Sequence, residues 1–230
     1  MKERIKALLT REPSSEIVRA EGWVRTKRDS KNVCFLEIND GSCLKGLQAV
    51  IDKTSFNNNN LLDSISTGAA VSVEGTIVES LGGNQKVELA VTSLDLVGPC
   101  PNDYPLQKKR HTVEFLREQA YLRPRTNLFG AVTRVRNTMA FAVHQFFQEN
   151  GFVYVNTPLI TASDCEGAGE QFQVTTLDLN NVPRKEDGSV DYSKDFFGKL
   201  ANLTVSGQLE GETYAMAMKN IYTFGPTFRA

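Results

Sequence analysis

Between residues 16 and 97 apolar and polar positions alternate in short runs, the period of strands that bury one face. Residues 17–27, 33–39, 44–51, 70–78 and 86–97 read as five strands. Asp29-Ser30, Asp40-Gly41-Ser42 and Gly82-Gly83-Asn84 separate them as turns. The polar tract 57–60, followed by Leu61-Leu62 and Ile65, predicts one helix between the third and fourth strands. Five short strands with a helix after the third predict a small Greek-key barrel of the OB type. Three prolines, Pro99, Pro101 and Pro105, then make a stiff linker.

Past the linker the period changes. Leu128, Val132, Val135, Met139, Val143 and Phe146-Phe147 recur at three-and-four spacing, predicting a helix over 127–150, about 35 Å long at about 1.5 Å per residue. Asn150-Gly151 stops it, and residues 152–155 read as a strand ended by Pro158. The turn-rich stretch 180–197, centred on Asp187-Gly188, reads as a hairpin insertion, 208–219 as a helix, and 222–229 as a strand. A strand closing on Phe228-Arg229-Ala230 without a turn leaves backbone groups in need of partners. The 230 residues are therefore expected to be the front part of a longer protein.

Composition narrows the classes. Hydrophobic residues at 40% and charged residues at 23% exclude a disordered or fibrous chain. The 26 Lys+Arg against 27 Asp+Glu give a net charge of −1, so any nucleic-acid contact must come from a local patch. No apolar run approaches the roughly 20 residues of a membrane span, and no apolar core follows the charged start, so a cytoplasmic protein is expected. Cys34, Cys43, Cys100 and Cys165 lack CxxC spacing, and His111 and His144 are the only histidines. Reduced thiols, no metal site and no hydrolytic triad are the expectation.

Period-two alternation assigns faces. Cys34, Leu36 and Ile38 form one apolar set, with Leu47, Ala49 and Ile51, with Val18, Ala20 and Val24, and with Val87, Leu89 and Val91. The opposite, outer face then collects Arg25, Lys27, Phe35, Gln48 and Glu88. An aromatic ring beside amides and cations suits an unpaired base, which stacks while its edge is read. The competing reading packs Phe35 under a loop and leaves the rest as ordinary surface; patterning alone leaves both open. Trp23 is expected at the barrel rim, without a ligand role.

Several segments together resemble the aspartyl/asparaginyl branch of the class II aminoacyl-tRNA synthetases. Gly22-Trp23-Val24-Arg25-Thr26-Lys27-Arg28-Asp29, with Phe35 and Gln48, resembles that branch's anticodon-binding domain. Gly151-Phe152-Val153-Tyr154-Val155-Asn156-Thr157-Pro158 resembles the first class II motif, and the run from Tyr222 to Ala230 resembles the opening of the second. The segments from Ala162 to Glu170 and from Leu203 to Thr213 are similar to those of asparaginyl enzymes of the bacterial kind. The implied class is α+β: an anticodon-binding OB barrel over 1–98, a linker over 99–112, and over 113–230 an incomplete antiparallel-sheet catalytic domain.

The resemblance also implies roles. Phe35 would stack on an anticodon base, Gln48 would read the central uridine, and Glu88 would serve a neighbouring base, with Arg25 and Lys27 on phosphate. Glu166 and Gln208 would hold the substrate's α-ammonium, supported by Ser206, in a cavity beside Arg229. Arg229 would clamp the α-phosphate of ATP and the substrate carboxylate. Pro158 and the long helix would form a homodimer interface. Where aspartyl enzymes carry a lysine this chain has Gly211, then Glu212, a carboxylate that repels aspartate and accepts from an amide NH₂. The implied substrates are L-asparagine, ATP and tRNA(Asn), joined through an aminoacyl-adenylate with Mg²⁺ held mostly by residues past 230. The likeness stops short of the third motif, so residues 1–230 alone are expected to bind the anticodon loop without aminoacylating. The alternatives are an aspartyl or dual-specificity enzyme and a non-catalytic OB-fold RNA-binding protein.

Overall fold

Alternation along the first strands encloses one side chain in two. Cys34, Leu36, Ile38, Leu47, Ala49 and Ile51 are all fully buried, while Phe35, Glu37 and Gln48 between them are half-exposed. The chain is described here by a computed structural model over residues 3–83, 85–164, 167 and 170–230. It divides into two compact units, Met1–Val135 and Arg136–Ala230.

In the first unit a short helix α1 (Ile5–Leu8) precedes β1 (Ile17–Asp29), β2 (Val33–Asn39) and β3 (Leu47–Asp52). Helix α2 (Asn59–Asp63) leads into β4 (Ala70–Glu79) and β5 (Val87–Gly98). The strands close into a barrel in the order β1-β2-β3-β5-β4, parallel only between β3 and β5. The asparagine tract has a local purpose: Asn58 caps α2, its side chain accepting from Leu61 N–H. Helix α1, too short to show a period, buries Ile5 and Leu8 in the barrel core. It is tied down by Asp40, which accepts from Arg4 Nε at 2.7 Å and from the Ile5 N–H at 3.1 Å.

The barrel ladder shifts register at three points, between Val24 and Thr26, between Ala70 and Val71, and between Glu74 and Gly75. Across β1 and β2, Val24 lies opposite Ile38 but Thr26 lies opposite Glu37, so Arg25 is the extra residue. Between β4 and β5 the register slips at Gly75, where a Cβ would strike the Ala90 carbonyl, so glycine is required for the close approach. After the linker come α3 (Val113–Glu118), capped by the Thr112 hydroxyl, and α4 (Asn127–Glu149), which closely matches the predicted helix.

The second unit is assembled from short pieces. Strand β6 (Val153–Tyr154) follows Gly151, which adopts a left-handed φ of 78°. Strands β7 (Ile160–Thr161), β8 (Gln173–Val174) and β9 (Ala201–Leu203) form an antiparallel sheet ordered β7-β9-β8. Helix α5 (Gln208–Met218) leads into β10 (Ile221–Tyr222), which pairs with β6 in parallel. The strand expected over 222–229 is thus confined to its first residue and Ile221, plus one bond from Phe228 N–H to the Thr204 carbonyl. The insertion has the predicted turn, with an isolated bridge between Arg184 and Val190 around Gly188. Its anchor is the Asp195 carboxylate, bonded to Thr175 and Thr176. His144 of α4 secures β10 and the end of β6, with Nδ1 2.7 Å from the Tyr222 hydroxyl and its ring packed against Tyr154 and Phe224.

Candidate functional site

The bulge at Arg25 decides which side chains share the outer barrel face. Directly paired residues of an antiparallel ladder point to the same side. Beyond the bulge, Lys27 is opposite the enclosed Leu36, and Arg28 is opposite Phe35. Arg28, not Lys27, therefore stands beside the aromatic ring, its guanidinium 5.1 Å from the ring centroid. Lys27 turns inward and is largely covered, donating to the Leu62 carbonyl at the end of α2 and lying 3.7 Å from Asp29. Lys53 also pairs with Asp29, and its ammonium, helped by Lys27, holds that carboxyl below the usual carboxylate range.

Arg25 departs from the expected face too. Its guanidinium donates to the carbonyls of Leu44 (2.8 Å) and Arg125 (3.0 Å) and to Asn127 Oδ1 (2.8 Å). It ties the barrel to the start of α4 within the first unit. With Trp23, which is stacked by Arg125 at 4.5 Å, it lines a cleft of about 470 Å³ that holds none of the other expected site residues.

Glu88 was expected on the surface and is 7% exposed. The cause is a hydrogen-bonded chain across the face. Gln48 Nε2 donates to Glu88 Oε2 at 3.0 Å, Ser80 Oγ donates to the same oxygen at 3.0 Å, and Arg28 Nη2 donates to Gln48 Oε1 at 3.1 Å. Phe35 and Gln48 share this face, since Glu37 pairs with Gln48 and Phe35 with Val50. The face therefore offers a ring, a cation over it, an amide whose two ends are both held, and a carboxylate. Sequence reasoning missed Arg28 and Ser80. Arg28 becomes visible only when the bulge is known, and Ser80 stands at the turn with no pattern to mark it.

In the second unit Ser206, Gln208 and Glu212, three of the residues expected to line the amino-acid site, gather at the start of α5. Gln208 N–H donates to Ser206 Oγ at 3.1 Å, and Gln208 Nε2 donates to Glu212 Oε1 at 2.9 Å, one turn along the helix. Gly211 between them is buried, facing Ile221 and Thr223. The Thr157 side chain packs where a Cβ on Gly207 would sit, which brings the segment before Pro158 against the helix start. The Phe228–Thr204 bond sets Arg229 beside the strand that leads to Ser206. Gln208, Glu212 and Arg229 are all exposed. The expected cavity is thus not enclosed by the described residues, because this end of α5 faces outward. Glu166 lies outside the described residues. Pro158 is exposed, as are Met139, Phe141, Phe146 and Val153 of this unit.

Asp195 holds the insertion. Its carboxylate accepts from Thr175 Oγ1 (2.6 Å), Thr176 N–H (2.8 Å), Thr176 Oγ1 (2.8 Å) and Phe196 N–H (2.8 Å). The Thr175 hydroxyl and the Thr176 amide are the main reasons its pKa is lowered to about 2. Among the described residues no group of three or more His, Cys, Asp or Glu side chains converges to hold a metal ion, and no helix is long and apolar enough to cross a membrane.

Comparison with known proteins covers both units. A family model described as an OB-fold nucleic acid binding domain matches residues 18–97, and one described as tRNA synthetases class II (D, K and N) matches 112–230. The asparagine–tRNA ligase of Acetivibrio thermocellus is 60% identical over 215 residues, covering 94% of this chain and 46% of that protein. That of Synechocystis is 57% identical over 230 residues, covering 100% and 50%. The chain spans about half the length of the relatives it matches. The crystal structure of asparaginyl-tRNA synthetase from Pyrococcus horikoshii, complexed with asparaginyl-adenylate, superposes with a TM-score of 0.76 at 22% identity, covering 94% of this chain and 45% of that one, and so supports the fold. With the expected OB barrel, here closed, and a family model that takes in everything from residue 112 onward, the chain belongs to the class II tRNA synthetases of the D, K and N family.

Proposed function

We propose that the protein joins L-asparagine to tRNA(Asn) at the expense of ATP, this chain supplying the anticodon reader and part of the amino-acid site. The observation that carries the choice of amino acid is the Gln208–Glu212 hydrogen bond across buried Gly211. With Nε2 committed to Glu212, the Gln208 oxygen is the end left for an α-ammonium, in company with Glu166 and the Ser206 segment. Glu212 retains acceptor capacity for the side-chain NH₂ of asparagine, whereas the carboxylate of aspartate would meet like charge.

The chemistry needs no protein nucleophile. The asparagine carboxylate attacks the α-phosphate of ATP, pyrophosphate leaves, and the terminal ribose hydroxyl of the tRNA then displaces AMP from the adenylate. Arg229 neutralises charge developing on the α-phosphate. Mg²⁺ would be held mostly by residues past 230, with the ATP phosphates, and would offset charge on those phosphates there. On the barrel, Phe35 stacks on an anticodon base, Gln48 reads the middle uridine and Arg28 offsets phosphate charge near the ring. Arg25 and Lys27 support the barrel from other positions and influence RNA indirectly. Pro158 and the exposed apolar residues of α4 form a homodimer interface.

ATP–pyrophosphate exchange by the protein containing this chain tests the reading. Exchange driven by asparagine and not by aspartate is expected, and Glu212→Lys should reduce the preference for asparagine. Equal exchange with both amino acids in the parent protein would overturn it. The 230-residue chain alone is expected to bind an anticodon stem-loop without forming adenylate.

A further inference from the structure

The geometry points to Glu88 and Ser80 as positioning residues that lock the amide of Gln48 in one of its two orientations, and so set the preference for uridine over cytidine at the middle anticodon position. A carboxamide has a nitrogen end that donates and an oxygen end that accepts, and turning it end for end exchanges them. Gln48 is held at both ends by groups that tolerate only one sense. Glu88 Oε2 can only accept, and it takes the Nε2 proton at 3.0 Å. Arg28 can only donate, and it gives to Oε1 at 3.1 Å. A turned amide would put oxygen against carboxylate and NH₂ against guanidinium, losing both bonds. Ser80 Oγ, at 3.0 Å from the same Glu88 oxygen, fixes that carboxylate.

One N–H and one oxygen lone pair of Gln48 remain for a base. For a base held in one place by its ribose and by the Phe35 ring, uracil brings an N3–H donor beside the O4 acceptor. Cytosine brings an N3 acceptor beside an N4 donor, the same pattern reversed. A free amide could serve either base by turning; a locked one serves uracil and meets cytosine with like against like. Discrimination therefore resides in Glu88 and Ser80 as much as in Gln48.

This inference rests on the proposed reading of the middle base by Gln48, and the test separates the two. Binding of the 230-residue chain to synthetic anticodon stem-loops is measured by fluorescence anisotropy. The loops carry uridine or cytidine at the middle position or, separately, at the third. Glu88→Gln keeps the shape but allows the amide partner to donate as well as accept. It is expected to lower the middle-position preference for uridine about tenfold, chiefly by raising affinity for the cytidine loop. Ser80→Ala should produce a smaller change in the same direction. If the parent chain does not distinguish the two middle-position loops, the reading by Gln48 fails. If the parent does and both variants keep its full preference, the lock fails while that reading stands. A loss confined to the third position also overturns the lock, since Glu88 would then be reading the neighbouring base itself. An unchanged circular dichroism spectrum for Ser80→Ala keeps the test valid should Glu88→Gln not fold.

Discussion

The strands of the barrel each have a neighbour on both sides, and one cluster running from Ile5 to Leu94 fills its interior. In the second unit, β6 and β10 pair only with each other among the described residues, and the buried apolar side chains are Val155, Ala201, Val205 and Tyr222. Over the same unit Met139, Phe141, Phe146, Leu179, Phe196 and Met216 stay exposed, Met216 at 90%. The barrel satisfies its backbone and hides its apolar surface by itself. The second unit carries apolar faces that another surface must cover. The two sites follow the same contrast. The face proposed to read bases is a hydrogen-bonded network on a closed barrel, whereas Gln208, Glu212 and Arg229 stand exposed.

The contrast can be broken by truncating each interior. Leu36→Ala in the barrel should cost about 2–5 kcal/mol, whereas Val205→Ala in the thinner cluster should cost about 1 kcal/mol. Urea unfolding followed by hydrogen exchange in each unit measures both, and equal losses would mean the second unit is packed as well as the first. Next in size, Phe35→Ala should weaken anticodon stem-loop binding by about 1–3 kcal/mol while leaving the unfolding midpoint of the barrel in place, because the ring lies outside the core. An unchanged affinity would return Phe35 to ordinary surface.

Arg25→Ala sharpens the comparison within the first unit. Loss of its three hydrogen bonds should reduce stability by about 1 kcal/mol, with stem-loop affinity nearly constant. A large affinity loss without a stability loss would restore it to the RNA face. The smallest effect is expected in acid. Asp195 has a folded pKa lowered to about 2 from an ordinary value of 3.8, so its stabilisation is complete above pH 4 and fades as pH falls toward 2. The melting temperature of Asp195→Ala should lie below that of the parent at pH 7, the gap closing between pH 4 and 2. A gap that persists at pH 2 would show that the loss is one of shape and not of charge.

Most of the architecture could be read from periodicity because the elements are long enough to show one. Strands β1 to β5 and helix α4 emerge within a few residues of their observed ends. Strands β7, β8 and β9, of two or three residues, are too short for any period, and tertiary contacts alone define them. Residues 222–229 are rich in aromatic and β-branched side chains and look like a strand, yet the ladder available to them ends at Tyr222. Phe35 and Gln48 share a face as alternation required. Lys27 was misplaced because strict alternation has no place for an inserted residue; Glu88 keeps the outer face that alternation gave it but is covered there by Gln48, from another strand, and by Ser80 across the turn.

The extra residue at Arg25 behaves like a frameshift inside a single strand. Losing Arg25 would dissolve the bulge and leave Lys27 opposite Leu36, but gaining a further residue between Trp23 and Arg28 would exchange inward for outward along the rest of β1. Lysine would then replace arginine beside the Phe35 ring, and the guanidinium would be driven toward the barrel interior. An insertion over these few positions would therefore disturb the outer face more than any single substitution there.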